Sequence, residues 1–197
     1  MNTLTIGHLP GIDAAQLHWQ DLPGLDLGPG HRLQVPVPTP EQLQALCAHL
    51  RGPGRQALRA LPVRGITQAI DATIHVLLDP ASEEHQTLLD WLPRVTGFSA
   101  EMVRVNLNAT LRTYRAPQLQ RFVAEDFGGH DMLDGFAPRV TGGLTHAEGA
   151  ALLTHIWAGN VPGLPLWSLV SGLLVKAGNL GKVSAGEPVL ASVFART

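Results

Sequence analysis

Two short stretches hold residue types at spacings that suit chemistry. In the first, Ala158 to Gly163 (AGNVPG) is a glycine-rich turn leading from an apolar run into a helix, the place where open α/β sheets bind ligands. Asn160 sits at its crest. An amide offers two uncharged N–H donors, which suits the oxyanion that develops when a thiolate attacks a carbonyl. The same side chain equally suits a cap for the helix that begins near Pro162. In the second stretch, Lys182 ends a short strand and is followed by Ser184 and Glu187 in KVSAGE. A lysine there suits ribose hydroxyls or a dinucleotide phosphate, and equally a solvated strand end.

The other reactive side chains read as structural. Cys47, the single cysteine, occupies an apolar position of an early helix with only His49 nearby, which predicts a small buried hydrophobe. One cysteine also excludes an internal disulfide and a thiolate-rich zinc site. His155 alternates inward on an apolar run and is expected to be a hydrogen-bonded core residue. His130, Asp131 and Asp134, beside Glu125 and Asp126, show no cation-ligand spacing and predict a solvated acidic loop. Trp157 and Trp167 read most simply as core residues flanking the turn, with an exposed one suited to line an acyl channel. GLDLGPGH and RGPGR are turns, since no GxGxxG leads from a strand into a helix.

The elements that must position these residues follow from periodicity. Residues 1–38 are rich in Gly and Pro and read as mostly irregular, with RLQVPV as a possible edge strand ending at its prolines. Thr39 and Pro40 open a helix that GPG is expected to stop. Further helices are predicted over about 55–61, 64–78, 82–92, 99–113 and 117–127, making 39–140 a mostly helical region. GGHDMLDGFAPRVTGG reads as a loop, and ALLTHIWAGN as a buried strand. A helix over GLPLWSLVSGLLVKAG, a short strand in NLGKV and a helix in EPVLASVFART complete 141–197. Strand, helix, strand, helix in that order is a parallel α/β unit with a right-handed crossover.

Composition narrows the function classes. The 197 residues are 45% hydrophobic and 15% charged, enough apolar material for a sizeable core. The net charge is -2, and the 14 Lys and Arg form no stripe that would neutralise nucleic-acid phosphates. The first residues lack the basic and apolar regions of a leader, and no run is long enough to span a membrane, which predicts a cytoplasmic protein.

AGNVPG followed by WSLVSGLLVKAGNLGKVSAGEPVLASVFAR resembles the LuxC-type acyl-CoA reductase family, a branch of the aldehyde dehydrogenase superfamily. The resemblance spans roughly Leu133 to Arg196, where DGFAPR also fits, and the preceding helical region more loosely. It implies a helix-rich N-terminal region leading into an incomplete parallel, Rossmann-like cofactor domain. It also implies that Asn160 is an oxyanion donor and that Lys182, Ser184 and Glu187 contact NADPH. Gly159 replaces the aromatic usual before the Asn, and Val183 the Pro usual after the Lys. The implied reaction passes an acyl group from acyl-CoA to a cysteine, and NADPH then reduces the thioester to an aldehyde. That cysteine, a later glycine-rich turn and a catalytic carboxylate have no counterpart in these residues. Two partial sheet strands and the apolar ending VLASVFART therefore predict the front part of such an enzyme, partnered by its other half or by another copy. The competing expectation is a non-catalytic helical interaction module.

Overall fold

The computed structural model describes residues 2–159 and 161–197. The N-terminal segment carries more order than its composition suggests. Strands β1 (Asn2–Thr5), β2 (His18–Asp21) and β3 (His31–Val37) form a sheet in the order β1-β3-β2. The RLQVPV strand is thus central, not the edge strand that its prolines predict. It is parallel to β1 and antiparallel to β2. Pro36 is tolerated because β1 pairing ends with Thr5 opposite Gln34, and Gly7 then passes so close over the Pro36 ring that a Cβ would collide.

Helix α1 (Pro40–His49) starts as expected, with a reciprocal capping box between Thr39 and Gln42. The GPG stop does not hold. The chain continues through a wide π-type turn over Leu50–Gly54 into α2 (Arg55–Ala60). The wider turn accommodates Pro53, which has no N–H to give the ordinary ladder. Next come α3 (Val63–Leu78), α4 (Glu83–Thr96), α5 (Ala100–Arg112) and α6 (Ala116–Phe127). Helix α4 runs past the predicted end at Leu92 and closes on left-handed Gly97, because buried Leu92 and Val95 hold its last turn on the core. One face of α3 is buried at Val63, Ile66, Ile70, Ile74 and Leu77, at the centre of a core to which α4, α5, α6 and the N-terminal sheet all contribute.

The predicted loop after Gly128 contains the single turn α7 (Asp131–Asp134) and a minimal hairpin of β4 (Ala137–Pro138) and β5 (Leu144–Thr145). Strand β6 (Leu152–Ile156), helix α8 (Leu164–Leu174), strand β7 (Gly178–Lys182) and helix α9 (Val189–Arg196) follow in the predicted order, with β6 parallel to β7. The protein is thus a mixed α/β structure. Strand β6 is not buried as expected: Thr154 is exposed and Ile156 is 80% exposed, because among the described residues β7 is its only strand neighbour. Among the described residues no helix is long and apolar enough to cross a membrane.

Two polar junctions fix this unit on the helical part. Asp134 does not belong to a solvated loop: its carboxylate accepts from the Val63 N–H that starts α3 (3.0 Å) and from Lys176 Nζ (2.6 Å). Lys176 is itself buried and left-handed, at φ 57°. Arg55 donates to the carbonyls of Gly149 (2.7 Å) and Lys176 (3.4 Å) and pairs with Glu148. Asp134→Ala removes a helix cap and strands a buried ammonium, so it is expected to cost about 2–4 kcal/mol in urea unfolding, with Asp134→Asn costing less. Equal stability of Asp134→Ala and the parent would contradict this assignment.

Candidate functional site

The carboxyl ends of β6 and β7 lie side by side, Ile156 opposite Lys182, and the Trp157 N–H extends the ladder to the Lys182 carbonyl (3.1 Å). The strands therefore deliver the two chemically suggestive segments to one place. Trp157 turns back over β7. Its indole lies against Gly181, where any Cβ would overlap the ring, and Nε1 donates to Ser168 Oγ on α8 (2.8 Å). His155 stacks on the same indole at 5.5 Å, and its Nε2 pairs with Asn179 Oδ1 (2.9 Å), which fixes that nitrogen as the donor. His155 is thus hydrogen-bonded as expected but only half-buried, on an open strand rather than in a core.

The turn after β7 is pressed against the turn after β6. A Cβ on Gly159 would collide with Ser184 and crowd the Glu187 N–H, so no side chain has room here. Ser184 bridges to Glu187, and its Oγ accepts from the Gly186 N–H (3.2 Å). Asn160 lies outside the described residues.

Lys182 and Ser184 open onto a cleft of about 940 Å³. Lys182 is exposed, and its ammonium has no ion-pair or hydrogen-bond partner among the described residues. Trp157, Thr154 and Phe194 also line the cleft, and so do Ile6 to Pro10 from the other end of the chain. Periodicity could not reveal those contributions, since they come from elements far apart in sequence. Cys47 is half-buried on α1 and does not line the cleft, whereas its neighbour Leu46 does. Trp167 is no core residue: it is 45% exposed and packs edge-on against Phe122 at 4.8 Å, away from the cleft. Among the described residues no three His, Cys, Asp or Glu side chains gather in a way that could hold a metal.

The sequence pattern that defines the acyl-CoA reductase (LuxC) family matches residues 58–197, more than half of the chain. The chain belongs to this family. No curated protein matches it. The match takes in both strand-end turns of the acyl-CoA reductase segment and leaves out the N-terminal sheet and α1, which wall the cleft.

Within the matched segment, Glu187, which the resemblance implies as a cofactor contact, is 1% exposed and does not line the cleft. Its Oε1 accepts from the N–H groups of Val189 and Leu190, both at 2.8 Å, and so caps α9, while Oε2 is buried with no partner among the described residues. Burial pushes this carboxyl above its usual range, and the two backbone bonds only partly oppose that. A raised carboxyl means that the folded state holds its proton more tightly, so its stabilising effect is greatest below pH 4.5 and fades as pH rises through the folded value. Thermal denaturation should therefore show a downward slope in stability over that window, which Glu187→Gln flattens. An unchanged slope in the variant would contradict the placement of this charge.

Proposed function

We propose that this chain carries the cofactor-facing part of an NADPH-dependent reductase that converts a fatty acyl-CoA to an aldehyde. The observation that carries the proposal is the pairing of the two strand ends. It sets the Lys182 ammonium, which has no partner among the described residues, and the Ser184 hydroxyl on one cleft at the strand ends. A point charge with three donors suits a ribose diol or a phosphate oxygen, and no acidic side chain lining the cleft opposes a polyanionic ligand. Lys182 and Ser184 are the proposed contacts to the cofactor. Glu187 acts behind them, holding the start of α9 and the turn that presents Ser184. The bound cofactor would supply hydride to an acyl thioester carbonyl.

Asn160 is the proposed donor to the thioester oxygen as negative charge develops on it. The nucleophile is assigned to a cysteine outside these residues, because Cys47 does not reach the cleft. In this reading, residues 39–140 are the helical region and 141–197 open a Rossmann-like cofactor domain in a cytoplasmic enzyme. The β6-α8-β7-α9 order and the parallel pairing support it.

Titration of the chain with NADPH, followed by cofactor fluorescence, tests the proposal. Saturable binding is expected, weakened about tenfold by Lys182→Ala through loss of one charge-assisted contact. Glu187→Gln should leave affinity unchanged. Incubation with labelled acyl-CoA should leave Cys47 unacylated. No saturable binding, or a Lys182→Ala variant that binds like the parent, would remove the cofactor assignment; label on Cys47 would return the nucleophile to this chain.

A further inference from the structure

Away from the cleft, at the seam between the helical part and the β6–β7 unit, charged side chains meet in numbers that do not balance. A small pocket of about 70 Å³ is lined by Arg59 of α2, Asp134 of α7, His146 and Glu148 from the segment before β6, and Val175 and Lys176 at the end of α8. Its carboxylates are already committed. Glu148 Oε1 accepts from Arg55 Nη2 at 3.1 Å and from Arg59 Nη1, so one oxygen answers two guanidinium groups. Asp134 accepts from the Val63 N–H and from Lys176 Nζ. Arg55, Arg59 and Lys176 thus stand against Asp134 and Glu148, which leaves a positive charge over before His146 is counted.

Donors are in excess as well. Lys176 is only 8% exposed, and its three N–H groups meet one acceptor, Asp134 Oδ1, among the described residues. It reaches the pocket from a left-handed backbone at φ 57°, a conformation that glycine adopts freely and lysine does not. Nε and Nη2 of Arg59 have no partner among the described residues. A cation buried this deeply requires both opposite charge and hydrogen-bond acceptors, and water supplies only the second.

Size and wall type narrow the ligand. A volume of about 70 Å³ admits a few waters or one small ion, and is far below the several hundred Å³ that an organic cofactor fills. Guanidinium forks and an ammonium favour the oxygens of a phosphate-like group. We propose that this pocket is a site for a small, multiply charged inorganic oxyanion of the orthophosphate or sulfate kind, held by Lys176 and Arg59 with a ring N–H of His146. The ion would fasten the β6–β7 unit to α2 and α7. None of the pocket's charged residues lines the cleft, so the site is independent of the reductase reading. Its walls come from four separate parts of the chain and exist together only in the folded state, so occupancy raises thermal stability.

Calorimetric titration of the full chain with inorganic phosphate, and separately with sulfate, tests the site at one ionic strength held with sodium chloride. The parent and Lys182→Ala are both titrated, so that phosphate attracted to the cleft is absent from the second series. One ion per chain is expected in Lys182→Ala, with a Kd on the order of 1 mM. Adding Arg59→Gln should weaken that binding about tenfold, and Arg59→Lys should weaken it less, because lysine keeps the charge without the fork. Glu148→Gln removes the competing carboxylate and should tighten binding about threefold, whereas a merely structural ion pair would give no gain. Phosphate should raise the melting temperature of Lys182→Ala but not of the same chain with Arg59→Gln, and melts without phosphate confirm that each variant is folded. No uptake by Lys182→Ala, or uptake that Arg59→Gln leaves unchanged, overturns the site. Weaker binding by Glu148→Gln, or an equal rise in melting temperature from chloride at the same ionic strength, does the same.

Discussion

A parallel sheet of two strands cannot shelter itself, and the C-terminal half of this protein is organised around that constraint. Beyond their ladder with each other, β6 and β7 must find cover for their faces and for one another's free edges. Helix α8 and the turn after α1 provide it, and both come in at backbone distance. Gly178 lies against the Leu50 carbonyl, Gly172 against the Asn179 side chain and Gly181 under the Trp157 indole, each with no space for a Cβ. Where cover ends, exposure begins, and Ile156 at the strand tip is mostly in solvent.

The same closeness builds the candidate site. Because β6 and β7 are in register, Ile156 opposite Lys182, whatever follows one strand must pack on whatever follows the other. Gly159 permits that by having no side chain where Ser184 stands, and Glu187 completes it by binding the first N–H groups of α9. The result is an ammonium and a hydroxyl set together at a large cleft. A carboxyl buried at a helix start, with one oxygen lacking a partner among the described residues, is a costly cap, so this turn is held at the expense of local stability.

Attachment of this unit to the helical core relies on a few charged groups rather than on area alone. Arg55 reaches across to two carbonyls that no strand satisfies, and the Lys176–Asp134 pair ties the end of α8 to the start of α3. Each ion also accepts or donates a backbone hydrogen bond or sits beside one that does, which is the condition under which a half-buried pair holds a junction. Residues separated by about half the chain thus meet at one seam.

Much of the helical order was legible in the sequence, because capping residues and a 3.6-residue apolar period are local signals. Thr39 with Gln42, Ser82, Ser99 and the Gly128 end all act as their residue types dictate. The order strand, helix, strand, helix and the motifs around Asn160 and Lys182 were equally plain, since they are contiguous. Tertiary structure alone decided the rest. It made RLQVPV a central strand by ending β1 before Pro36, carried the chain through GPG as a π-type turn, and buried Glu187 as the cap of α9. It also assembled the cleft wall from segments up to the full chain length apart. Such outcomes depend on which surfaces meet, and no local spacing encodes that.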